Sequence, residues 1–228
     1  MSIVIASSRR WHRKFVDEIR QRLGESVTYV DDKSAVTYEN LQSINPKFVF
    51  FPHWSYIIPA DVYENFACVI FHMTDLPFGR GGSPLQNLIV RGIYETQLSA
   101  IRCTKTLDGG DVYMKRPLSL WGSAEEIFLR AAELTKEMLI EIVRAEPKPY
   151  PQQGEPVIFK RRKPSEGNIE SLNDLDRVFD YIRMLDAEGY PPAFLSTAHL
   201  RLEFSRASRR ATSVLADVRI SLRGSDDE

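Results

Sequence analysis

The feature of this sequence that most restricts its fold is a series of short runs of β-branched and aromatic residues in the first half of the chain. These runs are SIVIA at 2–6, VTYV at 27–30, KFVFF at 47–51 and ACVIF at 67–71. Continuous apolar runs are typical of strands that helices cover on both faces of a parallel sheet. Between the first two runs, Phe15, Ile19 and Leu23 recur at helical spacing. The sequence therefore predicts an α/β fold with an open, Rossmann-like, mostly parallel sheet.

The second half of the chain predicts a long helix, a linker and a small subdomain. Segment 122–145 has a cap candidate in Ser123 and apolar residues that recur along one face. Four prolines then fall within EPKPYPQQGEP, which indicates a linker or a traversing arm. We therefore expect a catalytic domain over 1–146, a Pro-rich linker over 147–156 and a small C-terminal α+β subdomain over 157–228. The last five residues, GSDDE, are expected to form a solvated tail.

Composition and motif content argue against several classes of function. The formal net charge is -1, so no global field attracts nucleic acid or anionic lipid, and a nucleic-acid partner is not expected. No secretory signal and no membrane-spanning stretch is visible, which indicates a cytoplasmic protein without membrane contact. Cys68 and Cys103 stand in apolar runs, where thiols usually pack as small hydrophobes. Neither a dinucleotide fingerprint nor a zinc-ligand spacing is present, and no metal is expected.

Two segments carry residues with chemical potential. In FHMTDLPFGRGGSPLQNLI (71–89), His72 follows an apolar strand run, and ligands bind beyond the carboxyl ends of parallel strands. Three glycines then permit tight turns before a helix for which Ser83 is a cap candidate. In TKTLDGGDVY (104–113), Asp108 and Asp111 flank two glycines. Taken singly, a histidine after a strand is usually structural, and a D-G-G-D sequence is usually only a hairpin turn.

The two segments together resemble a known family. An HxxxLPxxxG motif followed by LDGG is similar to the signature of folate-dependent formyltransferases, which act on methionyl-tRNA, on glycinamide ribonucleotide or on nucleotide sugars. Upstream, WSYIIP (54–59) resembles the loop that meets the folate pterin ring. Downstream, FKRRKPSEGNI (159–169) and GYPPAF (189–194) resemble the segment after the core in sugar formyltransferases. The resemblance covers roughly residues 45 to 195.

The resemblance implies acyl transfer from 10-formyltetrahydrofolate to an amine. His72 would stabilise the oxyanion or act as the acid/base, and Asp108 would fix His72 with a water and help to take the amine proton. We expect the two side chains to face each other across a folate-sized cleft. The residues implied to hold the folate are Ser55, Tyr56, Ile57, Ile58, Cys103, Thr104, Lys105, Thr106 and Leu107. The residues implied to bind the acceptor are Arg80, Gly81, Gly82, Ser83, Gln86, Lys160 and Arg161.

One position departs from the family pattern. The family usually has Asn two residues before the histidine, where its amide stabilises the oxyanion, and this chain has Ile70. Losing one such donor typically costs about 2.7–4 kcal/mol of transition-state stabilisation. We expect another donor to substitute, and the candidates are Thr74, Gln86 and Asn87. The alternative is a folate-binding protein without turnover.

The acceptor is the least constrained part of the prediction. The basic run Lys160–Lys163 could contact a nucleotide diphosphate, because Arg forks suit phosphate oxygens, or it could be a solvated charged strand. With the neutral net charge and the short C-terminal region, the resemblance favours a nucleotide-linked amino sugar of surface-glycan biosynthesis, such as lipopolysaccharide O-antigen. Formylation of an aminoacyl-tRNA or an amino acid is the alternative. A homodimer is possible.

Overall fold

The computed structural model of the chain describes residues 1–223, so the predicted tail at 224–228 lies outside the described residues. The strands are β1 Ser2–Ala6, β2 Ser26–Val30, β3 Phe48–Pro52, β4 Cys68–His72, β5 Phe78–Gly81, β6 Glu95–Arg102, β7 Val112–Ser119, β8 Val157–Phe159, β9 Ala193–Ser196, β10 Leu200–Arg209 and β11 Val214–Leu222. The helices are α1 Arg10–Arg13, α2 Val16–Leu23, α3 Tyr38–Ile44, α4 Ala60–Asn65, α5 Pro84–Ile89, α6 Ala124–Ala145 and α7 Leu175–Arg183.

The described residues form two compact units whose segments interleave along the sequence. Unit 1 comprises Met1–Gly81, Thr96–Leu118 and Leu129–Ile158. Unit 2 comprises Gly82–Glu95, Ser119–Phe128 and the described residues from Phe159 onward. The Pro-rich segment 147–156 therefore belongs to unit 1. The boundaries 1–146, 147–156 and 157–228 stay a prediction about independently folding domains.

Unit 1 is built on a six-stranded sheet with the strand order β2-β1-β3-β4-β6-β7. The pairs β1–β2, β1–β3 and β3–β4 are parallel, whereas β4 and β6 are antiparallel. Ile3, Val49 and Phe50 are fully buried at its centre, as expected for strands that are covered on both faces. The predicted α/β class with a mostly parallel sheet is confirmed.

Helix α6 begins where the sequence places it. The Ser123 hydroxyl accepts a hydrogen bond from the Glu126 amide at 3.3 Å, and the Glu126 carboxylate accepts one from the Ser123 amide at 2.7 Å. This reciprocal cap satisfies amide groups that the first helical turn leaves without partners. The apolar stripe of this helix comprises Ile127, Ala131, Leu134, Met138 and Ile142. Leu134 is partly exposed and the other four residues are buried.

Unit 2 contains α5, α7 and a three-stranded sheet with the order β11-β10-β9, which confirms the predicted small α+β portion of the C-terminal region. Both strand pairs of this sheet are antiparallel. Asp174 caps α7 by accepting a hydrogen bond from the Asp176 amide at 2.7 Å. Strands β5 and β8 form a separate two-stranded sheet.

Two local expectations fail for identifiable reasons. The helical spacing of Phe15, Ile19 and Leu23 predicts one helix from Trp11 to Leu23, but the structure divides this segment into α1 and α2. The His12 ring hydrogen-bonds the buried Ser7 hydroxyl at 2.7 Å instead of lying on a continuous helix face. Ser83 does not cap α5. Its backbone is left-handed at φ 50, and its hydroxyl accepts a hydrogen bond from the Arg162 amide at 3.0 Å.

Candidate active site

His72 is the last residue of β4, and its imidazole is held in one orientation. Nε2 lies 2.8 Å from the carbonyl oxygen of Gly79, and the ring is only 7% exposed. Because a carbonyl can only accept, this contact assigns the hydrogen to Nε2 and leaves Nδ1 directed elsewhere. The Thr74 hydroxyl donates to the same carbonyl at 3.4 Å. The turn between β4 and β5 therefore fixes the tautomer and the direction of the ring.

Asp108 lies in the loop between β6 and β7, and its carboxylate faces the other side of that ring. The carboxylate oxygen Oδ2 accepts a hydrogen bond from the Gly81 amide at 2.8 Å and lies 3.7 Å from His72 Nδ1. Its backbone has φ 49, a left-handed conformation that Asp tolerates better than most residues. The structure therefore brings the two predicted residues together. Their catalytic roles stay a prediction.

The spacing of the pair differs from the expected cleft. At 3.7 Å, His72 Nδ1 and Asp108 Oδ2 leave no room for a folate between them, and both residues are more than nine-tenths buried. The loop brings the carboxylate onto the imidazole itself, because the Gly81 amide anchors Asp108 next to the His72 turn. The reacting groups must therefore approach the pair from one side.

Asp108 also reaches His72 by a route that a wholly parallel sheet would not provide. Strand β6 is antiparallel to β4, so His72 pairs with Ser99 at one end and the Cys103 amide meets the Cys68 carbonyl at the other, 2.8 Å away. The chain from Cys103 to Asp108 must therefore return along β4. Gly110 permits this return, because a Cβ there would lie 1.8 Å from the Arg102 carbonyl oxygen.

A side-chain amide that the sequence analysis missed holds the Asp108 loop. Gln152 donates through Nε2 to the carbonyl oxygens of Asp108 and Gly110, both at 2.8 Å. Its Oε1 accepts from Arg80 Nε at 3.1 Å and from Arg80 Nη2 at 2.7 Å. Tyr150 and Val112 exchange backbone hydrogen bonds of 2.7 and 3.0 Å, which set this arm against the start of β7. Nothing in a QQ pair between prolines marks this contact in the sequence.

The two segments implied to hold the folate come together in unit 1. Ile58 and Cys103 belong to one buried cluster with Cys68, while the side chains of Ile57 and Leu107 are 94% and 69% exposed. Each of the two segments, 55–58 and 103–107, therefore carries an exposed apolar side chain. The indole nitrogen of Trp54 is buried and has no hydrogen-bond partner in the described part of the chain.

The remaining folate residues and both thiols are placed as follows. Ser55, Tyr56, Thr104, Lys105 and Thr106 are exposed. Cys68 and Cys103 are buried and form no disulfide, as expected for thiols that pack as small hydrophobes. Burial raises the pKa of the Cys103 thiol to about 11, and burial also raises the pKa of Cys68. Both thiols therefore stay protonated near neutral pH.

The residues implied to bind the acceptor fall into both units. In unit 1, Arg80 is held by Gln152 and the Gly81 amide by Asp108. In unit 2, the Gly82 amide donates to the Phe159 carbonyl at 3.1 Å, and a Cβ at Gly82 would lie 2.6 Å from the Arg161 Cβ.

In segment 159–161, which packs against Gly82, the backbone is hydrogen-bonded and the basic side chains are exposed. The Lys160 carbonyl accepts a hydrogen bond from the side-chain amide of Asn87 at 2.9 Å. The side chains of Lys160 and Arg161 are exposed. The backbone of 159–161 is therefore structural, and its basic side chains point to solvent.

The candidate substitutes for the missing oxyanion donor are already engaged. Gln86 donates to the Met184 carbonyl at 3.1 Å, and Asn87 donates to the carbonyls of Gly82, Ser83 and Lys160. The hydroxyl of Thr74 is directed at Gly79.

Ile70 lies on β4, pairs with Ile101 and packs, partly buried, against two apolar clusters. The position that usually carries Asn is thus an apolar packing site.

Within 1–223, no group of three His, Cys, Asp or Glu side chains is arranged to hold a metal ion. No helix in that range is long and apolar enough to cross a bilayer.

This chain is similar to known proteins in family, in sequence and in structure. A family model described as "Methionyl-tRNA formyltransferase, C-terminal domain" matches residues 164–221. A solved structure, a methionyl-tRNA formyltransferase from Clostridium thermocellum, is 47% identical with a TM-score of 0.94, covering 98% of this chain and 100% of that chain. The chain belongs to the formyltransferase family. The resemblance that the two motifs carry is therefore confirmed.

Other relatives set the limits of this assignment. A methionyl-tRNA formyltransferase from Thermodesulfovibrio yellowstonii is 26% identical over 153 residues, which cover 64% of this chain and 50% of the relative. The chain spans half or less of the first curated relatives, at 50%, 38% and 35% of their lengths. A sugar N-formyltransferase from Shewanella shares 14% identity at a TM-score of 0.67, covering 87% of this chain and 93% of that chain, and this likeness shows the fold alone.

These comparisons overturn two expectations about the acceptor. The prediction of a nucleotide-linked amino sugar, with its link to lipopolysaccharide and O-antigen, is wrong. The relatives that are 26% and 47% identical to this chain are methionyl-tRNA formyltransferases. The exclusion of nucleic acid is wrong for the same reason. By the resemblance, the two central motifs belong to formyltransferases with different acceptors, so they do not discriminate between acceptors. Net charge sums the whole surface, whereas a phosphate feels charges only within about 8–10 Å at ordinary salt.

Proposed function

We propose that this protein transfers a formyl group from 10-formyltetrahydrofolate to the amino group of an aminoacyl-tRNA, with methionyl-tRNA as the acceptor. The observation that carries the chemistry is the contact between His72 Nδ1 and Asp108 Oδ2 at 3.7 Å. The acceptor rests on the 47% identity, over the full length of both chains, to the protein named a methionyl-tRNA formyltransferase.

In this proposal, His72 and Asp108 manage the proton of the attacking amine. Because Nε2–H is held by the Gly79 carbonyl, Nδ1 is the ring nitrogen that takes the proton from the attacking amine and gives it to the nitrogen that loses the formyl group. The Asp108 carboxylate then stabilises the imidazolium by charge attraction, while the Gly81 amide keeps that carboxylate in place. General base assistance of this kind contributes typically about 10²–10⁴-fold to a rate.

The residues of unit 1 fit a folate donor, which would supply the formyl carbon when bound. Exposed apolar side chains at Ile57 and Leu107 suit the faces of a flat heteroaromatic ring. We propose that 55–58 and 103–107 hold the pterin through these groups and through exposed backbone.

The exposed side chains of Lys160 and Arg161 are the groups that we propose to contact tRNA phosphates. The hydrogen bond from Asn87 to the Lys160 carbonyl holds their backbone, so the charges project from a rigid segment. Each phosphate contact of this kind steepens the salt dependence of binding, because bound counterions are released.

The test is a formyl-transfer assay with purified full-length protein, 10-formyltetrahydrofolate and methionyl-tRNA, with the formylated product detected by mass. Uncharged tRNA and free methionine are the negative controls. An Arg161→Gln variant should raise KM for tRNA and reduce the salt slope of tRNA binding by about one, with transfer at saturating tRNA unchanged. Folate binding without transfer to methionyl-tRNA at any concentration would refute the proposal.

A further inference from the structure

Strand β11 is an exposed edge strand with one wholly apolar face. It is the outermost strand of the β11-β10-β9 sheet, and β10 is the one strand that pairs with it in residues 1–223. Leu222, Ile220 and Val218 are 81%, 58% and 46% exposed. Since side chains alternate along a strand, the apolar face comprises Val214, Ala216, Val218, Ile220 and Leu222.

The outward backbone groups of β11 belong to the same even-numbered residues. The Arg223 amide donates to the His199 carbonyl at 2.9 Å, one step beyond the Leu200–Leu222 pair. Hydrogen-bonded and non-hydrogen-bonded pairs alternate in an antiparallel ladder, so odd-numbered residues of β11 bond to β10. The amides and carbonyls of Val218 and its even-numbered neighbours therefore point away from the sheet. An apolar edge without proline or lysine is a template for strand addition.

We infer that β11 pairs with β11 of a second copy of this chain, antiparallel about a two-fold axis at Val218. This register places Asp217 opposite Arg219 of the other copy, twice by symmetry, and it places Ala216 opposite Ile220. Moving the axis by one residue places Asp217 against Asp217 or Arg219 against Arg219. Opposite charges in facing positions stabilise an antiparallel pair and like charges destabilise it. The sequence of β11 therefore selects one register.

The charges that flank this edge extend the complementarity. Arg206 pairs with Asp217, and Arg219 pairs with Glu203 at 2.5 Å within each copy. In the proposed pair, four charged side chains that alternate in sign lie in a row across the interface. They are Arg206 and Asp217 of one copy, followed by Arg219 and Glu203 of the other copy. Because these arginines already face carboxylates, a nucleic-acid backbone would have to displace those contacts. A second copy is thus the occupant that the edge suits.

The first test uses the self-association of full-length protein, measured by sedimentation over a range of concentrations. Val218→Pro removes an outward amide without touching the β10 ladder, and proline is tolerated at such edge positions. We expect it to abolish the dimer, while the control Val218→Ala, which keeps the amide, weakens it by about tenfold or less. Circular dichroism checks that both variants stay folded. A wild-type protein that is monomeric at high concentration overturns the inference.

A second test fixes the register and does not depend on the proline variant. Asp217→Lys and Arg219→Glu each create like-charged facing pairs in a homodimer, so each should self-associate about tenfold or more weakly than wild type. In a mixture of the two variants, the introduced lysine faces the introduced glutamate, and the remaining Arg219 faces the remaining Asp217. Mixing should therefore restore dimers of wild-type strength. The intrachain repulsions are the same before and after mixing. Failure of the mixture to associate, or association that requires tRNA, overturns the inference.

Discussion

Replacing Asp108 with Asn isolates the charge that faces His72. An Asn side chain keeps the size of the residue, can accept the hydrogen bond from the Gly81 amide, and tolerates the left-handed φ 49 of this position. What it removes is the negative charge 3.7 Å from His72 Nδ1. At that separation, two unit charges in an effective dielectric of about 20 attract by about 4 kcal/mol. Since about 1.4 kcal/mol is tenfold, we expect the turnover rate kcat to fall on the order of 10³-fold.

The assay compares formyl transfer to methionyl-tRNA at saturating substrates with the free energy of unfolding in urea. The matched control is Asp111→Asn, at the other end of the same loop, whose side chain is exposed and whose backbone carbonyl accepts from the Arg102 amide. We expect the control to keep near-normal turnover and both variants to unfold within about 1 kcal/mol of wild type. If Asp108→Asn stays within a few-fold of wild type, or if Asp111→Asn loses as much, the charge at 108 has no role in the transfer.

Four further changes test the surrounding structure. Gly110→Ala should unfold at least about 2 kcal/mol more easily and lose activity, because its Cβ meets a backbone oxygen at 1.8 Å. The control Gly92→Ala, which is left-handed at φ +70 but in open space, should lose about 1 kcal/mol and stay active. Gln152→Leu should lower kcat at least tenfold with little change in tRNA affinity, since it releases two carbonyls of the Asp108 loop; a change in tRNA affinity alone would contradict a positioning role. Ile70→Asn should cost about 1–3 kcal/mol of stability without raising turnover, because the amide enters an apolar packing site; a large rate gain would show that the missing donor limits the enzyme. Burial lowers the pKa of His12 to about 3, so the unfolded chain binds the proton first. The stability that neutral His12 contributes above about pH 6.5 should therefore fall by about 2 kcal/mol at pH 5, and His12→Gln should reduce the loss measured in urea unfolding by about that amount.

The acceptor shows where sequence reasoning reached its limit. By the resemblance, the histidine and aspartate motifs are shared by formyltransferases that act on different amines, so they do not identify the acceptor. The charges that we propose to contact the acceptor, those of the exposed Lys160 and Arg161, are few and local, so a net charge of -1 does not exclude a polyanion. Full-length similarity to a protein named for its tRNA substrate carried information that the motifs lack.

The sequence by itself determined the features that depend on neighbouring residues. Continuous apolar runs predicted the parallel strands β1, β3 and β4, and the Ser123–Glu126 spacing predicted the start of α6. The two motifs predicted that the side chains of His72 and Asp108 face each other. All of these rest on local backbone preference and on burial patterns with a fixed period.

The tertiary structure decided which distant groups touch. The antiparallel direction of β6, the return of the loop along β4 and the direct 3.7 Å contact depend on long-range pairing. The Gln152 amide lies 44 residues from Asp108, and no period or propensity connects them. Such contacts depend on how the whole chain packs. Many proline-rich segments of the same composition would satisfy the local backbone preferences, but only the native packing supplies these hydrogen-bond partners.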